Sequence, residues 1–285
     1  MKYRLIALDL DGTLLGPDHR VSAENRAAVA DAQAAGALVV PCTGRGWRES
    51  LRSLDGVRGL SVGIFNTGGA VVEIDSGRAV DLAAFEPHLV LELVEFLRDL
   101  PEAVLVYQEH GLTGRDYLVT GDGQLTANTQ RWFQMNNIRY HENRHPTADD
   151  LHHSVRVGVV ATGKRAFDIE QQVIDRFGGR VSLHCFAGVP TTAKEEAVYI
   201  VEIFAAGVNK WRGVAWVAEQ HGILPEAVAA VGDEINDLAM LEYAGLGVAM
   251  GNAVEPARAA ADRHTHTHAD HGVAHAIRQM LDGVW

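Results

Sequence analysis

Tyr3-Arg4-Leu5-Ile6-Ala7-Leu8-Asp9-Leu10-Asp11-Gly12-Thr13-Leu14-Leu15 is an apolar run that ends in two carboxylates and a glycine. A strand fits Tyr3 to Leu10 and points Asp9 and Asp11 to the same side, while Gly12 lets the chain turn away directly after them. In an open parallel sheet, ligands bind at the carboxyl ends of the strands, which is where this pair stands. Two carboxylates on one rim either hold a cation or divide into nucleophile and acid. A calcium loop is excluded: its fifth position would be Thr13, its sixth Leu14 instead of Gly, and its twelfth Arg20 instead of Glu.

Working outward, the pattern predicts a helix with Ser22 as N-cap and Gly36 as its stop. A short apolar run, Ala37 to Val40, follows, and another helix begins after Gly46. The rhythm returns near the C-terminus as a helix at Trp211 to His221, a strand at Val228 to Val231, a helix at Asp237 to Ala244 and a strand at Leu246 to Met250. Such alternation implies a parallel sheet covered by helices. Between the two ends the pattern changes. Pro87 opens an amphipathic helix to about Leu100, and Ala103 to Gln108, Tyr117 to Val119, Val155 to Val160 and Arg180 to Phe186 read as strands. Gly111, Gly114, Gly121 and Gly123 cluster where hairpin turns are needed. The expected fold class is therefore α/β, a doubly wound, Rossmann-like parallel-sheet core over residues 1–83 and 197–285, with an inserted α+β cap over 84–196.

Other strand ends carry polar groups. Val39-Val40-Pro41-Cys42-Thr43-Gly44-Arg45 places a hydroxyl and backbone amides at a helix start, which suits a phosphate oxygen. Val231-Gly232-Asp233-Glu234-Ile235-Asn236-Asp237 is another strand-to-helix junction. An N-cap accounts for Asn236 or Asp237 but not for Asp233 at the strand end as well. Acidic residues at two strand ends, a hydroxyl at a third and Lys210 before a predicted helix are what magnesium-assisted phosphoryl transfer needs.

On these residues the chain resembles the haloacid-dehalogenase-like (HAD) hydrolase superfamily, and within it the Cof-like type-IIB phosphatase branch. Four motifs match in order: Asp9-x-Asp11-Gly-Thr, Thr43-Gly-Arg, Lys210, and Gly232-Asp233-x-x-Asn236-Asp237; Gly247 to Ala253 also resembles the branch. The resemblance implies that Asp9 attacks phosphorus to form an aspartyl-phosphate and that Asp11 is general acid and then base. It implies that Thr43 bonds a phosphoryl oxygen, and that Lys210 offsets charge on the phosphoryl group and on Asp9. Mg2+ would be held by the Asp9 carboxylate, the Asp11 main-chain carbonyl and the Asp233 carboxylate, with Asn236 and Asp237 supporting the phosphate and the metal-bound waters. Gly44, Arg45 and Asn236 stand as substrate-binding candidates. The expected substrate is a small phosphorylated metabolite, with sugar phosphates favoured by the resemblance alone. The alternatives are a phosphosugar mutase and a non-enzymatic phospho-aspartate or metabolite sensor; the inserted cap makes little sense for a sensor.

Two positions depart from the branch. Lys210 is followed by Trp211-Arg212 where Gly is common, and Asn66-Thr67-Gly68-Gly69 stands where Asn-Gly is usual. Both bear on the substrate entrance. In the cap, Arg115, Tyr117, His141, Arg144, His145 and His184 are candidate selectors by polarity alone, each reading otherwise as a surface residue. His264, His266 and His268 would share a face if extended, but an exposed polar strand and loop is preferred over a second metal site, since no Cys or Glu accompanies them at zinc spacing.

Composition bounds the rest. The chain has 285 residues, 25 Lys+Arg against 37 Asp+Glu and a formal net charge of −12, which argues against nucleic acid as a partner. With 47% hydrophobic and 22% charged residues it can bury a real core. Two cysteines, Cys42 and Cys185, fit a reducing compartment. The opening Met1-Lys2-Tyr3-Arg4 is not read as a signal peptide, because Asp9 and Asp11 interrupt the apolar run. No stretch approaches the roughly 18 apolar residues of a membrane span. The expectation is a cytoplasmic monomer or weak homodimer without a membrane partner.

Overall fold

The computed structural model describes residues 2–189 and 197–285. The chain divides into two compact units, Met1–Asp81 with Asn209–Trp285, and Leu82–Val208. In chain order the first segment holds β1 (Leu5–Leu8), α1 (Ala23–Ala34), β2 (Leu38–Pro41), α2 (Trp47–Leu51), β3 (Val62–Phe65), β4 (Ala70–Glu73) and β5 (Ala79–Leu82). The insert holds α3 (Pro87–Leu97), β6 (Val104–Gln108), α4 (His110–Thr113), β7 (Tyr117–Thr120), α5 (Ala127–Met135), β8 (Tyr140–Glu142), β9 (Ser154–Thr162), α6 (Lys164–Phe177), β10 (Val181–Val189) and β11 (Val198–Ala205). The return segment holds α7 (Lys210–Gln220), β12 (Val228–Gly232), α8 (Leu238–Tyr243), β13 (Leu246–Ala249), α9 (Glu255–Ala260), β14 (Arg263–His264) and α10 (Gly272–Leu281).

The core sheet has the order β14-β13-β12-β1-β2, and each neighbouring pair is parallel. β1 lies between β12 and β2 with all four residues buried, as expected of a strand covered on both faces. Its alternation decides which side chain meets which layer. Ile6 and Leu8 pack with residues of α1 and α10, including Val29, Ile277 and Met280. Leu5 and Ala7 pack with Val214 and Val217 of α7, Met240 and Leu241 of α8 and Ala257 of α9. Helices on both faces make this core doubly wound. Ser22 caps α1 as expected, accepting from the Asn25 amide at 3.1 Å, and Gly36 follows the helix with φ near 90°.

β3 and β4 form an antiparallel hairpin, in a small sheet with β5. That sheet joins the core through a parallel bridge between Cys42 and Ile64. Arg212 of α7 forms an ion pair with Asp81 of β5, so the points where the chain leaves and re-enters this unit are clasped together.

The inserted unit is a six-stranded sheet, β10-β11-β9-β6-β7-β8, backed by α3 and α6 through a core of Val90, Leu93, Val157, Val159 and Phe177. The unit extends past the expected boundary. β11 pairs antiparallel with both β10 and β9, so residues up to Val208 fall with the insert and the division lies at 82 and 208 rather than 84 and 196. The expected boundary at 196 itself lies outside the described residues. Tyr117, read as a surface candidate, is buried instead, packed against Tyr107, Trp132 and Phe133. Its hydroxyl meets the buried Arg156, which also pairs with Glu202 at 2.6 Å.

Candidate active site

Parallel register brings the strand ends together. Leu8 of β1 is level with Val231 of β12 and Pro41 of β2, so Asp9 stands beside Gly232-Asp233 on one side and Cys42-Thr43 on the other. The chain then turns through Gly12 at φ 78°, where a Cβ would lie 2.2 Å from an Asp233 carboxylate oxygen. Only glycine meets both conditions, the left-handed backbone and the close approach. Thr13, next in the turn, donates its hydroxyl to Asp233 Oδ1 at 2.8 Å.

Lys210, the first residue of α7, is fully buried. Its Nζ donates to Asp9 Oδ1 and to Asp237 Oδ1, both at 2.6 Å. Asp237 Oδ2 in turn accepts the backbone amides of Asp233 at 2.8 Å and Glu234 at 2.9 Å. Asp237 is thus a bracket between the β12 terminus and Lys210. Burial pushes the Asp9 carboxyl well above the usual carboxylate range; Lys210 pulls it back, while Asp237, Asp233 and Asp11 push it further up. Burial and the neighbouring Asp237 raise Asp233 to about 7, although the Thr13 hydroxyl and Lys210 oppose the rise. Burial by itself would lower Lys210, but Asp237 and Asp9 more than reverse this, and it is held charged. Three carboxylates around one ammonium leave the cluster with excess negative charge.

One carboxylate oxygen from each of Asp9, Asp233 and Asp237 lies within 4.8 Å of the other two. Hard oxygen donors with uncompensated charge fit a divalent cation of the magnesium kind. Asp237 is fixed by Lys210 and by two backbone amides, whereas the partners of Asp233 are the side chains of Thr13 and Asn252, which can turn aside, so Asp9 and Asp233 are the carboxylates better disposed to ligate directly.

Asp11 does not join this cluster. Its carboxylate is 47% exposed and is gripped by the Arg45 fork, with Nε donating to Oδ2 at 2.7 Å and Nη2 donating to Oδ1. Arg45 Nη1 donates to Ser53 Oγ at 3.0 Å. Arg45, a substrate-binding candidate from sequence, is here engaged by the protein itself. Thr43 is buried, with its hydroxyl accepting the Arg45 amide at 3.2 Å. Gly44 faces Asn236: a Cβ on Gly44 would lie 3.6 Å from Asn236 Nδ2.

Asn252 was not among the expected site residues. Its amide donates to Gly12 O at 2.9 Å and to Asp233 Oδ2 at 3.2 Å, and its Oδ1 accepts the His268 amide at 2.9 Å. Its place just past the end of β13 was the available signal. In the histidine tract, His266 stacks on His275 with ring centroids 4.1 Å apart, and His264 Nε2 lies 3.0 Å from Arg258 O. Of the insert's candidates, Arg115 is spent on Gln108 Oε1 at 2.7 Å and Asp150 O at 3.2 Å.

Comparison with known proteins agrees with this arrangement. A profile of the haloacid dehalogenase-like hydrolases matches residues 6–277. The 5-amino-6-(5-phospho-D-ribitylamino)uracil phosphatase YitU of Bacillus subtilis is 30% identical over 289 residues, covering 98% of each chain. The crystal structure of a haloacid dehalogenase-like hydrolase from Bacteroides thetaiotaomicron superposes with a TM-score of 0.78 at 26% identity, over 98% of this chain and 99% of that one. The subclass IIB sugar phosphatase BT4131 shares the fold, with a TM-score of 0.76 at 21% identity over 98% and 99% of the two chains. Strand-end carboxylates, buried lysine and whole-chain similarity together place this chain in the haloacid dehalogenase-like hydrolase family, as one of its phosphatases.

Proposed function

We propose that the protein is a magnesium-dependent phosphatase that hydrolyses a small phosphate monoester, of the sugar-phosphate class, through phospho-Asp9. The observation that carries this reading is the buried Lys210 bridging Asp9 and Asp237, with Asp233 in the same oxygen cluster. Asp9 attacks phosphorus, and the P–O bond to the leaving alcohol breaks as Asp11 gives that oxygen a proton. Asp11 then takes a proton from water, whose oxygen attacks phospho-Asp9 and releases inorganic phosphate. For this, Asp11 exchanges its Arg45 partner for the ester oxygen. Thr43, Gly44 and Asn236 orient the phosphoryl oxygens, and Lys210 offsets charge on Asp9 and the phosphoryl group. Asp9, Asp233 and the Asp11 carbonyl would hold Mg2+, which would supply charge neutralisation in a protein whose overall charge repels its substrate. The inserted unit sets which ester is accepted. The names of YitU and BT4131 both specify phosphorylated polyhydroxyl compounds, which supports that substrate class. Two free cysteines suit a cytoplasmic setting, and no helix of the described residues is long and apolar enough to cross a membrane.

The test is release of inorganic phosphate from a sugar-phosphate panel and p-nitrophenyl phosphate, with and without magnesium, by wild type and Asp9→Asn. Turnover is expected to require the metal and to fall by at least about a thousandfold in the variant. Metal-independent or Asp9-independent release would overturn the reading.

A further inference from the structure

We infer that Thr67, on the turn after β3, is a substrate-positioning residue whose hydroxyl donates to an oxygen of the bound phosphoryl group. This rests on the phosphatase reading above. The turn Asn66–Gly68 runs through three consecutive left-handed residues, with φ of 49°, 55° and 90°. For glycine this is ordinary, but for a β-branched threonine it is an outlier. Strain of that kind persists only where the surroundings over-determine it, and it gathers at ligand-binding sites.

The surroundings do over-determine it. The Thr67 amide donates to Thr43 O at 3.0 Å and the Asn66 amide to Arg45 O at 2.9 Å, so the turn is latched to the Thr43-Gly44-Arg45 segment. On its other side, a Cβ on Gly68 would lie 2.0 Å from Asn209 O, and Arg212 Nη1 donates to Gly68 O at 3.0 Å. The turn is therefore wedged between the Thr43 loop and the start of α7, where Lys210 begins.

Thr67 is 0% exposed, and its Oγ1 has no hydrogen-bond partner among the described residues. A buried hydroxyl left that way costs free energy. Its Oγ1 borders Gly44, where a Cβ would lie 3.5 Å from it and 3.6 Å from Asn236 Nδ2. A hydroxyl and an amide NH2 therefore converge on the gap left by the missing Gly44 side chain. Both are donors, as an anion requires, and a small oxyanion is the chemistry that fits. The gap lies beside Thr43, one residue beyond the level of Asp9 in the sheet.

The test uses the full chain with magnesium and inorganic phosphate as probe. Phosphate binding is measured by calorimetry for wild type, Thr67→Ala, Thr67→Gly and Thr67→Ser, alongside thermal melts and kcat and KM on p-nitrophenyl phosphate. Thr67→Gly removes the hydroxyl and the left-handed strain together, so it melts no lower than Thr67→Ala. Phosphate affinity is expected to fall about tenfold or more in both Ala and Gly variants, the scale of a hydrogen bond to a charged group, and to be rescued by Ser. KM is expected to rise with that loss. Wild-type affinity in the Ala and Gly variants would overturn the assignment and leave Thr67 a packing residue. Thr67-dependent phosphate binding without p-nitrophenyl phosphate turnover would uphold it while counting against the phosphatase reading. Wild type that binds no phosphate would overturn both.

Discussion

The ammonium of Lys210 is enclosed by two carboxylates and has no exposed surface. Removing one partner of a buried ionic cluster leaves uncompensated charge, which costs more than the pair contributes. Lys210→Met is therefore expected to lose about 3–5 kcal/mol of unfolding free energy at pH 7.5 without magnesium. The loss should be smaller at pH 5, because burial already favours the neutral form of the Asp9 carboxyl and a lower pH favours it further. Urea titrations at the two pH values check this; an equal loss at both would refute it. Asp233 gives a second pH signature. Folded, it holds its proton to about pH 7, so protonation contributes stability that is complete below about pH 4 and lost as pH rises through 7. Magnesium competes for the same carboxylate. The metal-induced rise in Tm is expected to be larger at pH 8 than at pH 5.5, and calorimetric scans with and without the ion would show whether it is.

At the scale of elements, the loop after β1 is tied to two helices by one side chain. Asn25, buried in the first turn of α1, donates to Leu14 O at 3.0 Å and accepts the Ala274 amide of α10 at 3.1 Å. Asn25→Ala strands two buried backbone groups and is expected to cost about 2–4 kcal/mol, read as a lower urea midpoint. Magnesium affinity should change less than stability, because Asn25 touches none of the three carboxylates. The elements themselves were legible where the chain repeats its rhythm. β1 stands out because four apolar residues run straight into Asp9, and Ser22 because a cap precedes a periodic segment. A boundary at 197 leaves residues 198–205 with the core, because an apolar run carries no mark of the sheet it joins; only the pairing of β11 with β9 and β10 decides. Of the candidate site residues, Asp9 and Asp233 announce themselves as carboxylates at strand ends, while Thr43, Lys210 and Asp237 stand out only in combination with them. Asn252 and Thr67 do not, since an Asn or Thr in a turn is ordinary until its partners are known. The Arg45 grip on Asp11 joins residues far apart in sequence, and no local pattern encodes it.

For the molecule as a whole, the two units have separate hydrophobic cores, Ile6 and Leu8 with α1 and α10 in one, Val157 and Phe177 with α3 and α6 in the other. All the groups proposed for the chemical step, and Asn252 and Thr67 with them, come from the unit that contains both chain ends. That distribution was only half legible, because an insert shows in sequence as a change of pattern, whereas its exit point depends on strand partners. The ion pair between Asp81 and Arg212 closes the gap that the insert leaves. Replacing residues 82–208 by a short Gly-Ser linker is therefore expected to give a folded, cooperative domain that still binds magnesium, measurable by circular dichroism and calorimetry; a molten product would contradict it. The clasp makes the insert a cassette. Any segment whose two ends meet at that clasp can be carried without redrawing the parallel sheet, so the whole insert can be exchanged in one genetic event while the residues proposed for the chemical step are inherited unchanged.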